Sequence, residues 1–205
     1  MIKNIIFDWS GVIKDSVGDH LYAVNKILQA FGASTMSLEE LRENWVQPHM
    51  DFYNKYIPEV TASEQEVIYR KAITECVPKV YPGISDLIKD LKSHNFNMIV
   101  ISSDLLETVT PEVISFDLAD NFLEIAANVY DKRIVIEKLI EKYNFNKSET
   151  VIVGDSNHEI ETGKMVGIKT VATTWGFTTE NRLKSFSPDF VVHNLDELRA
   201  VFIKK

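Results

Sequence analysis

The sequence predicts an α/β protein in which a doubly wound parallel sheet carries an inserted, all-helical segment near its N-terminus. Short, β-branched apolar runs recur along the chain and alternate with stretches of helical periodicity, a pattern typical of a parallel sheet covered on both faces. Residues 16–80 instead show helical patterns only, interrupted by Pro48, Pro58 and Pro78. We therefore expect a core domain formed by residues 1–15 and 81–205 and a helical domain formed by residues 16–80.

The predicted strands are short apolar runs bounded by polar residues or glycine, as expected for strands buried on both faces. The first run, I-K-N-I-I-F, ends at Asp8, and later runs end at Ser102 and at Gly154. The strands are predicted at residues 2–7, 97–101, 122–126, 150–153, 169–172 and 190–192.

The predicted helices are marked by apolar periodicity and by capping signals. Gly32 ends the first helical pattern, as a C-cap residue would. Ser37 with Glu40, and Ser63 with Glu66, fit the S-x-x-E capping box and predict the starts of two further helices. Outside the inserted segment, helices are predicted over residues 84–91, 105–116, 132–143 and 160–166.

Composition limits the classes of partner. The chain of 205 residues carries a net charge of −8, which argues against nucleic acid or an anionic membrane as its main partner. No apolar run approaches the roughly 18 residues of a membrane span, the single Cys76 cannot form an internal disulfide, and the N-terminus lacks signal-peptide features. We expect a cytoplasmic protein, and the sequence carries no signal for its oligomeric state.

Polar side chains follow several of the predicted strands. Asp8, Ser102 and Asp155 come directly after strands, and Lys132 follows the third strand by a few residues. In parallel sheets, ligands bind beyond the carboxyl ends of the strands, so these side chains are expected at one edge. Carboxylates suit Mg²⁺, whereas a lysine and a hydroxyl suit phosphate oxygens. A carboxylate can also act as a nucleophile toward phosphorus.

These motifs resemble the four sequence motifs of the haloacid dehalogenase superfamily, in order and in spacing. The matching stretches are D-W-S-G-V at residues 8–12, Ser102, Lys132, and G-D-S-N-H-E at residues 154–159. Residues 168–177 and 190–198 are similar to the corresponding parts of the branch that contains phosphoglycolate phosphatase-like and β-phosphoglucomutase-like proteins. The resemblance covers nearly the whole chain and implies a Rossmann-like core with an inserted helical cap.

The resemblance also implies a role for each matching residue. Asp8 would be the nucleophile and, with the main-chain carbonyl of Ser10, a ligand of Mg²⁺. The other implied metal ligands are Asp155 and Glu159, the latter directly or through water. The phosphoryl group of a small phosphorylated substrate would be held by Ser102, Ser103 and Lys132, and residues 16–80 would form the cap, with His20 near its hinge facing the site.

Ser10 departs from the pattern of the phosphatases in this superfamily. Those enzymes carry an aspartate two residues after the nucleophile, which protonates the leaving oxygen and then activates water. A serine hydroxyl is too weak an acid and base for that task, and losing such catalysis costs about 10²–10⁴-fold in rate. The leading prediction is a Mg²⁺-dependent phosphohydrolase that either uses substrates with good leaving groups or takes the proton from another residue, such as His20.

Two other functions remain open at this point. The stretch D-W-S-G is close to the D-W-A-G of phosphonoacetaldehyde hydrolases, which form a Schiff base on a cap lysine, and the cap offers Lys26, Lys55, Lys71 and Lys79. Dehalogenases of the superfamily usually carry tyrosine at the position of Ser10, so this residue does not support dehalogenation. Finally, the protein could bind a phosphorylated ligand or a partner with little or no turnover.

Overall fold

The computed structural model describes residues 1–46, 48–129 and 131–203. In this part of the chain, six strands form one sheet in the order β3-β2-β1-β4-β5-β6, and all neighbouring strands are parallel. The predicted fold class is confirmed. The strands are β1 Asn4–Asp8, β2 Asn97–Ile101, β3 Glu124–Ala126, β4 Thr150–Gly154, β5 Lys169–Thr173 and β6 Phe190–Val192.

Ten α-helices are present within the described ranges, and none of these helices is long and apolar enough to cross a membrane. Two short 3₁₀ helices, Ala119–Asn121 and Lys147–Glu149, add to them. The α-helices are α1 Val17–Ala30, α2 Leu38–Asn44, α3 His49–Tyr56, α4 Ala62–Ile73, α5 Ile84–Ser93, α6 Leu106–Ser115, α7 Lys132–Lys142, α8 Asn157–Val166, α9 Glu180–Ser185 and α10 Leu195–Phe202.

One of the two predicted capping boxes is correct and the other is wrong. Ser37 and Glu40 form the predicted box at the start of α2. The box predicted from Ser63 does not exist, because α4 begins two residues earlier and Thr61 pairs with Glu64 instead. Both tetrapeptides satisfy the same spacing rule, so the pattern alone does not select between them.

Helices cover both faces of the sheet. Along β1, Ile5 and Phe7 point to one face and Ile6 to the other, because side chains alternate along a strand. The first face packs against apolar residues of α5, α6 and α10, and the second against residues of α7 and α8. The sheet is thereby buried on both sides, and its carboxyl edge is the place where the connecting loops meet.

The four helices between β1 and α5 have an apolar cluster of their own. Its centre is formed by buried residues of α1, α2 and α3, including Val24, Leu41 and Phe52, and partly buried residues of α4 pack against it. The chain enters and leaves this helical unit through adjacent segments, since Asp15 N–H donates to the Lys79 carbonyl at 2.9 Å. This paired connection lies a few residues after β1, on the side of the sheet edge that carries Asp8.

Candidate active site

Asp8 is the last residue of β1, and its carboxylate is held in one orientation. Its Oδ1 accepts a hydrogen bond from the backbone N–H of Trp9 at 2.9 Å and lies 2.9 Å from the Lys132 ammonium. The indole of Trp9 is fixed in turn, because its Nε1–H donates to Glu112 Oε2 at 2.9 Å and the other oxygen of Glu112 pairs with the buried Lys14. The segment after β1 is therefore anchored to α6 through a buried acid.

Lys132 joins the sheet edge to the start of α8. It is the first residue of α7, whose N-terminus is capped by the Asp131 side chain. The Lys132 ammonium lies 2.6 Å from Glu159 Oε1 and is 3% exposed as a residue. Glu159 Oε2 accepts hydrogen bonds from the backbone N–H and the hydroxyl of Ser156, which closes the capping box of α8. Both oxygens of Glu159 are thus engaged within the protein.

Asp155 follows β4 and is packed between two glycines. Its Oδ2 accepts a hydrogen bond from the backbone N–H of Phe177 at 2.5 Å. A Cβ atom on Gly11 would lie 2.2 Å from this oxygen, and one on Gly176 would lie 2.0 Å from it. Only glycine at these two positions leaves room for the carboxylate, and Gly11 also has a φ of +81°, which favours glycine.

The three carboxylates form one cluster. Asp8, Asp155 and Glu159 each offer an oxygen within 4.8 Å of the others, and all three residues are buried. Within the described residues, Lys132 is the one ammonium in direct contact with the cluster. Three buried acids around one ammonium form an arrangement in which a divalent cation would offset the remaining negative charge.

Burial and mutual repulsion shift the pKa values of this cluster. Burial raises the pKa of Asp8 to about 6, with the Lys132 charge opposing the rise. Burial also raises the pKa of Asp155 well above its usual range, and the charges of Asp8 and Glu159 add to the effect. Burial alone would lower the pKa of Lys132, but the two carboxylates beside it outweigh that effect and raise the pKa. The Lys132 ammonium is therefore held in its charged form.

The loop after β2 brings a third acid-bearing segment to the same edge. Ser102 is buried and its Oγ accepts a hydrogen bond from the Asp104 backbone N–H at 3.1 Å, whereas Ser103 is exposed. The Ser10 hydroxyl donates to Asp104 Oδ2 at 2.6 Å. Asp104 was not among the residues predicted to form the site. The signal that could have identified it is its position two residues after the strand-end Ser102, at the edge where the other candidates were expected.

His20 lies in α1 and packs between other residues of the helical unit and the loop after β5. Its ring contacts Trp45 and Phe177 edge-on, and its Nδ1 lies 3.0 Å from the Tyr69 hydroxyl. Its buried Nε2 has no hydrogen-bond partner among the residues that the structure describes. Burial, together with the nearby charge of His49, lowers the pKa of His20 to about 3, so the imidazole is neutral near pH 7.

Two arginines cross between the helical unit and the core. Arg42 of α2 donates to the carbonyls of Thr174 and Thr178, in the loop after β5. Arg182 of α9 donates in the other direction, to carbonyls at the end of α2 that include that of Trp45, at 2.9 Å. The loop held by Arg42 contains Phe177, whose N–H binds Asp155. The placement of the helical unit is thus tied to the carboxylate cluster.

The sequence and fold have many known relatives. The chain is 28% identical to pyrophosphatase PpaX of Halalkalibacterium halodurans, over 96% of this chain and 95% of that protein. It is 27% identical to phosphoglycolate phosphatase of Aquifex aeolicus, with the same coverage. A haloacid dehalogenase-like hydrolase from Streptococcus pneumoniae superposes with a TM-score of 0.84 at 21% identity, covering 98% of this chain and 99% of that one. Residues 5–173 match the model of the haloacid dehalogenase-like hydrolases, and the chain belongs to this family.

Proposed function

We propose that this hydrolase is a Mg²⁺-dependent phosphatase of small phosphorylated molecules, with Asp8 as the nucleophile that forms an aspartyl-phosphate. The observation that carries the proposal is the cluster of Asp8, Asp155 and Glu159 within 4.8 Å, in contact with the Lys132 ammonium. Phosphoryl transfer through a phosphoenzyme requires a nucleophilic carboxylate, hard oxygen ligands for a metal ion and a cation that stabilises the phosphoryl oxygens. The names of the relatives, a pyrophosphatase and a phosphoglycolate phosphatase, also favour phosphorylated substrates.

The residues at the site fit a bound Mg²⁺. Asp8 and Asp155 would hold it, together with the main-chain carbonyl of Ser10, and the closeness of the carboxylate oxygens supports this assignment. Gly11 and Gly176 leave room for the Asp155 carboxylate at this position. When bound, Mg²⁺ would offset negative charge on the transferring phosphoryl group. Glu159 fits an indirect role better than direct ligation, because both its oxygens already accept hydrogen bonds.

The side chains of the chain itself would perform the remaining tasks. The Asp8 carboxylate attacks phosphorus, and its orientation is set by the Trp9 N–H and by Lys132. Lys132 stabilises charge on the phosphoryl oxygens, and Glu159 keeps its ammonium in place. Ser102 and Ser103 lie on the loop that would border the phosphoryl group. Ser102 is buried, whereas Ser103 is exposed. Ser103 would therefore contact the substrate only after it has bound.

Residues 16–80 would act as a cap on the core formed by residues 1–15 and 81–205. The separate apolar cluster of α1 to α4 supports this division, as does the paired connection at Asp15 and Lys79. Closure of such a cap excludes water from the reacting groups. Two contacts would hold the closed state, that of Arg42 with the loop that contains Phe177 and that of Arg182 with the end of α2. His20 would offer its Nε2 to a bound substrate.

The phosphonate-hydrolysing alternative finds no support in the cap. That chemistry needs a lysine near the site to form a Schiff base, and such lysines are desolvated to make the amine nucleophilic. The four cap lysines are all exposed instead, namely Lys26, Lys55, Lys71 and Lys79. Incubation with an aldehyde-bearing phosphonate and borohydride should therefore leave no adduct on these residues. An adduct on one of them, with loss of activity, would restore this alternative.

A substrate panel tests the proposal. Purified protein with Mg²⁺ is assayed for phosphate release from small phosphate esters, diphosphates and acyl phosphates, with Asp8→Asn and Asp120→Asn in parallel. Asp120 is an exposed acid on the short 3₁₀ helix and serves as the matched control. We expect turnover of at least one substrate, with only Asp8→Asn reducing it to the background rate. The proposal fails if no substrate is turned over or if Asp8→Asn retains the full rate.

A further inference from the structure

The nucleophile segment continues into a closed turn formed by residues 9–14. The backbone N–H of Lys14 donates to the Trp9 carbonyl, and the Gly11 N–H donates to the Lys14 carbonyl, both at 2.9 Å. These hydrogen bonds join the first residue of the turn to its last. The turn also contains Ser10, whose main-chain carbonyl is a proposed ligand of Mg²⁺.

Both ends of this turn are bound to a single acid of α6. Glu112 Oε2 accepts a hydrogen bond from the Trp9 indole at 2.9 Å, and Glu112 Oε1 accepts one from the Lys14 ammonium at 2.5 Å. All three residues are buried. A buried ion pair is often no more stabilising than apolar residues of similar volume, because both charges lose their hydration. Stability alone therefore does not account for this pair.

We propose that Glu112 is a positioning residue for the reaction, because it fixes the turn that orients the nucleophile and carries a proposed metal ligand. This inference rests on the proposed phosphatase function. The two oxygens of Glu112 are bonded to Trp9 and to Lys14, so Glu112 acts through these residues and not by contact with the substrate.

The first path from Glu112 to the site runs through Trp9. The Trp9 backbone N–H donates to Asp8 Oδ1 at 2.9 Å. Its indole is held by Glu112 and stacks on Phe116, with the ring centroids 6.1 Å apart. A change in the position of the indole would rotate the peptide that follows Asp8, and with it the carboxylate that contacts Lys132.

The second path runs through Lys14. The Lys14 carbonyl accepts the Gly11 N–H, and Gly11 lies so close to Asp155 that an added Cβ would be 2.2 Å from its Oδ2. Lys14 also forms an isolated antiparallel bridge with Val80, where the chain leaves the helical unit. A shift of Lys14 would therefore move Gly11 against Asp155 and change the positions of the proposed metal ligands.

The test compares two double variants that both remove the buried ion pair. Lys14→Met/Glu112→Leu also removes the acceptor for the Trp9 indole. Lys14→Met/Glu112→Gln keeps that acceptor, because the amide oxygen of glutamine accepts a hydrogen bond. Neither variant leaves a buried charge unpaired, so both should fold, which urea unfolding checks. A third variant, Trp9→Phe, keeps the ion pair and a ring but lacks the indole donor.

The readouts are Mg²⁺ affinity in calorimetry and kcat at saturating Mg²⁺ on the best substrate. The variant with Leu at position 112 should lose about 100-fold in both, because both paths are broken. The variant with Gln at this position and Trp9→Phe should each lose about 10-fold, because one path is broken. The control Arg70→Met/Glu66→Leu removes an exposed ion pair and should change neither readout.

A loss of function at unchanged stability separates positioning from a purely structural role. The inference is overturned if the folded variant with Leu at position 112 keeps the wild-type Mg²⁺ affinity and kcat, or if it loses no more than the variant with Gln. If the variant with Leu does not fold, Trp9→Phe with wild-type values overturns the inference equally. Failure of the proposed function would look different, because the wild type itself would then bind no Mg²⁺ or its turnover would not depend on Asp8.

Discussion

The buried imidazole of His20 makes the stability of the protein depend on pH. Burial and the charge of His49 lower its pKa to about 3, from the usual histidine value of 6.5. Below pH 6.5 the unfolded chain takes up a proton that the folded protein does not, so the free energy of unfolding falls as the pH decreases from 6.5 toward 3. At pH 5, about 1.5 pH units below the unfolded pKa, the loss from this residue is about 2 kcal/mol relative to pH 8.

The assay compares urea unfolding of the wild type and of His20→Phe at pH 8 and at pH 5, in the presence of a chelator. Phenylalanine keeps the ring contacts with Trp45 and Phe177 but cannot titrate. The free energy of unfolding of the wild type minus that of His20→Phe should be about 2 kcal/mol smaller at pH 5 than at pH 8. Any cost of the substitution that does not depend on pH cancels in this comparison. Tyr69→Phe removes the partner of Nδ1 but not the imidazole, so it should retain the dependence on pH.

A constant difference between wild type and His20→Phe at the two pH values would refute this reasoning. It would mean that the folded protein protonates His20 as readily as the unfolded chain does. The burial of the ring among Trp45, Tyr69 and Phe177 would then be wrong.

Two further predictions concern the supports of the site. Glu112→Leu should lower the free energy of unfolding by about 3–5 kcal/mol, because it leaves the Lys14 ammonium buried without its carboxylate. Glu66→Leu, which breaks an exposed ion pair, should change it by less than about 1 kcal/mol. Equally small losses for both variants in chemical denaturation would contradict this prediction. Gly176→Ala should weaken Mg²⁺ binding about 10–100-fold in calorimetry, because the added Cβ would displace the Asp155 carboxylate. An unchanged affinity for Mg²⁺ would contradict the assignment of Asp155 as a metal ligand.

The fold could be predicted from the sequence because its signals are local and redundant. The alternation of apolar runs with helical periodicity identifies the strands, and the geometry of parallel sheets then places Asp8 and Asp155 at the same edge. The structure brings these two residues together as that rule requires, with Lys132 in contact with Asp8. Glu159, which only the resemblance indicated, belongs to the same cluster. The sequence also showed that Ser10 stands where the phosphatases of this superfamily carry an aspartate.

The remaining features depend on contacts between irregular segments, which have no periodic signature. Asp104 pairs with Ser10 only because the loops after β1 and β2 meet, and their separation along the chain is 94 residues. The crossing contacts of Arg42 and Arg182 depend in the same way on how the helical unit rests on the core. The start of α4 was mispredicted because two overlapping capping boxes fit the same spacing rule.

The central claim is that Asp8 carries the phosphoryl group during turnover. The most direct measurement is rapid acid quenching of the enzyme during turnover of its best substrate with Mg²⁺, followed by mass spectrometry of the peptide that contains Asp8. We predict one added phosphoryl group on Asp8 in the wild type and none in Asp8→Asn. Steady turnover with no phosphorylated peptide, and with Asp8→Asn retaining the wild-type rate, would contradict the proposed mechanism.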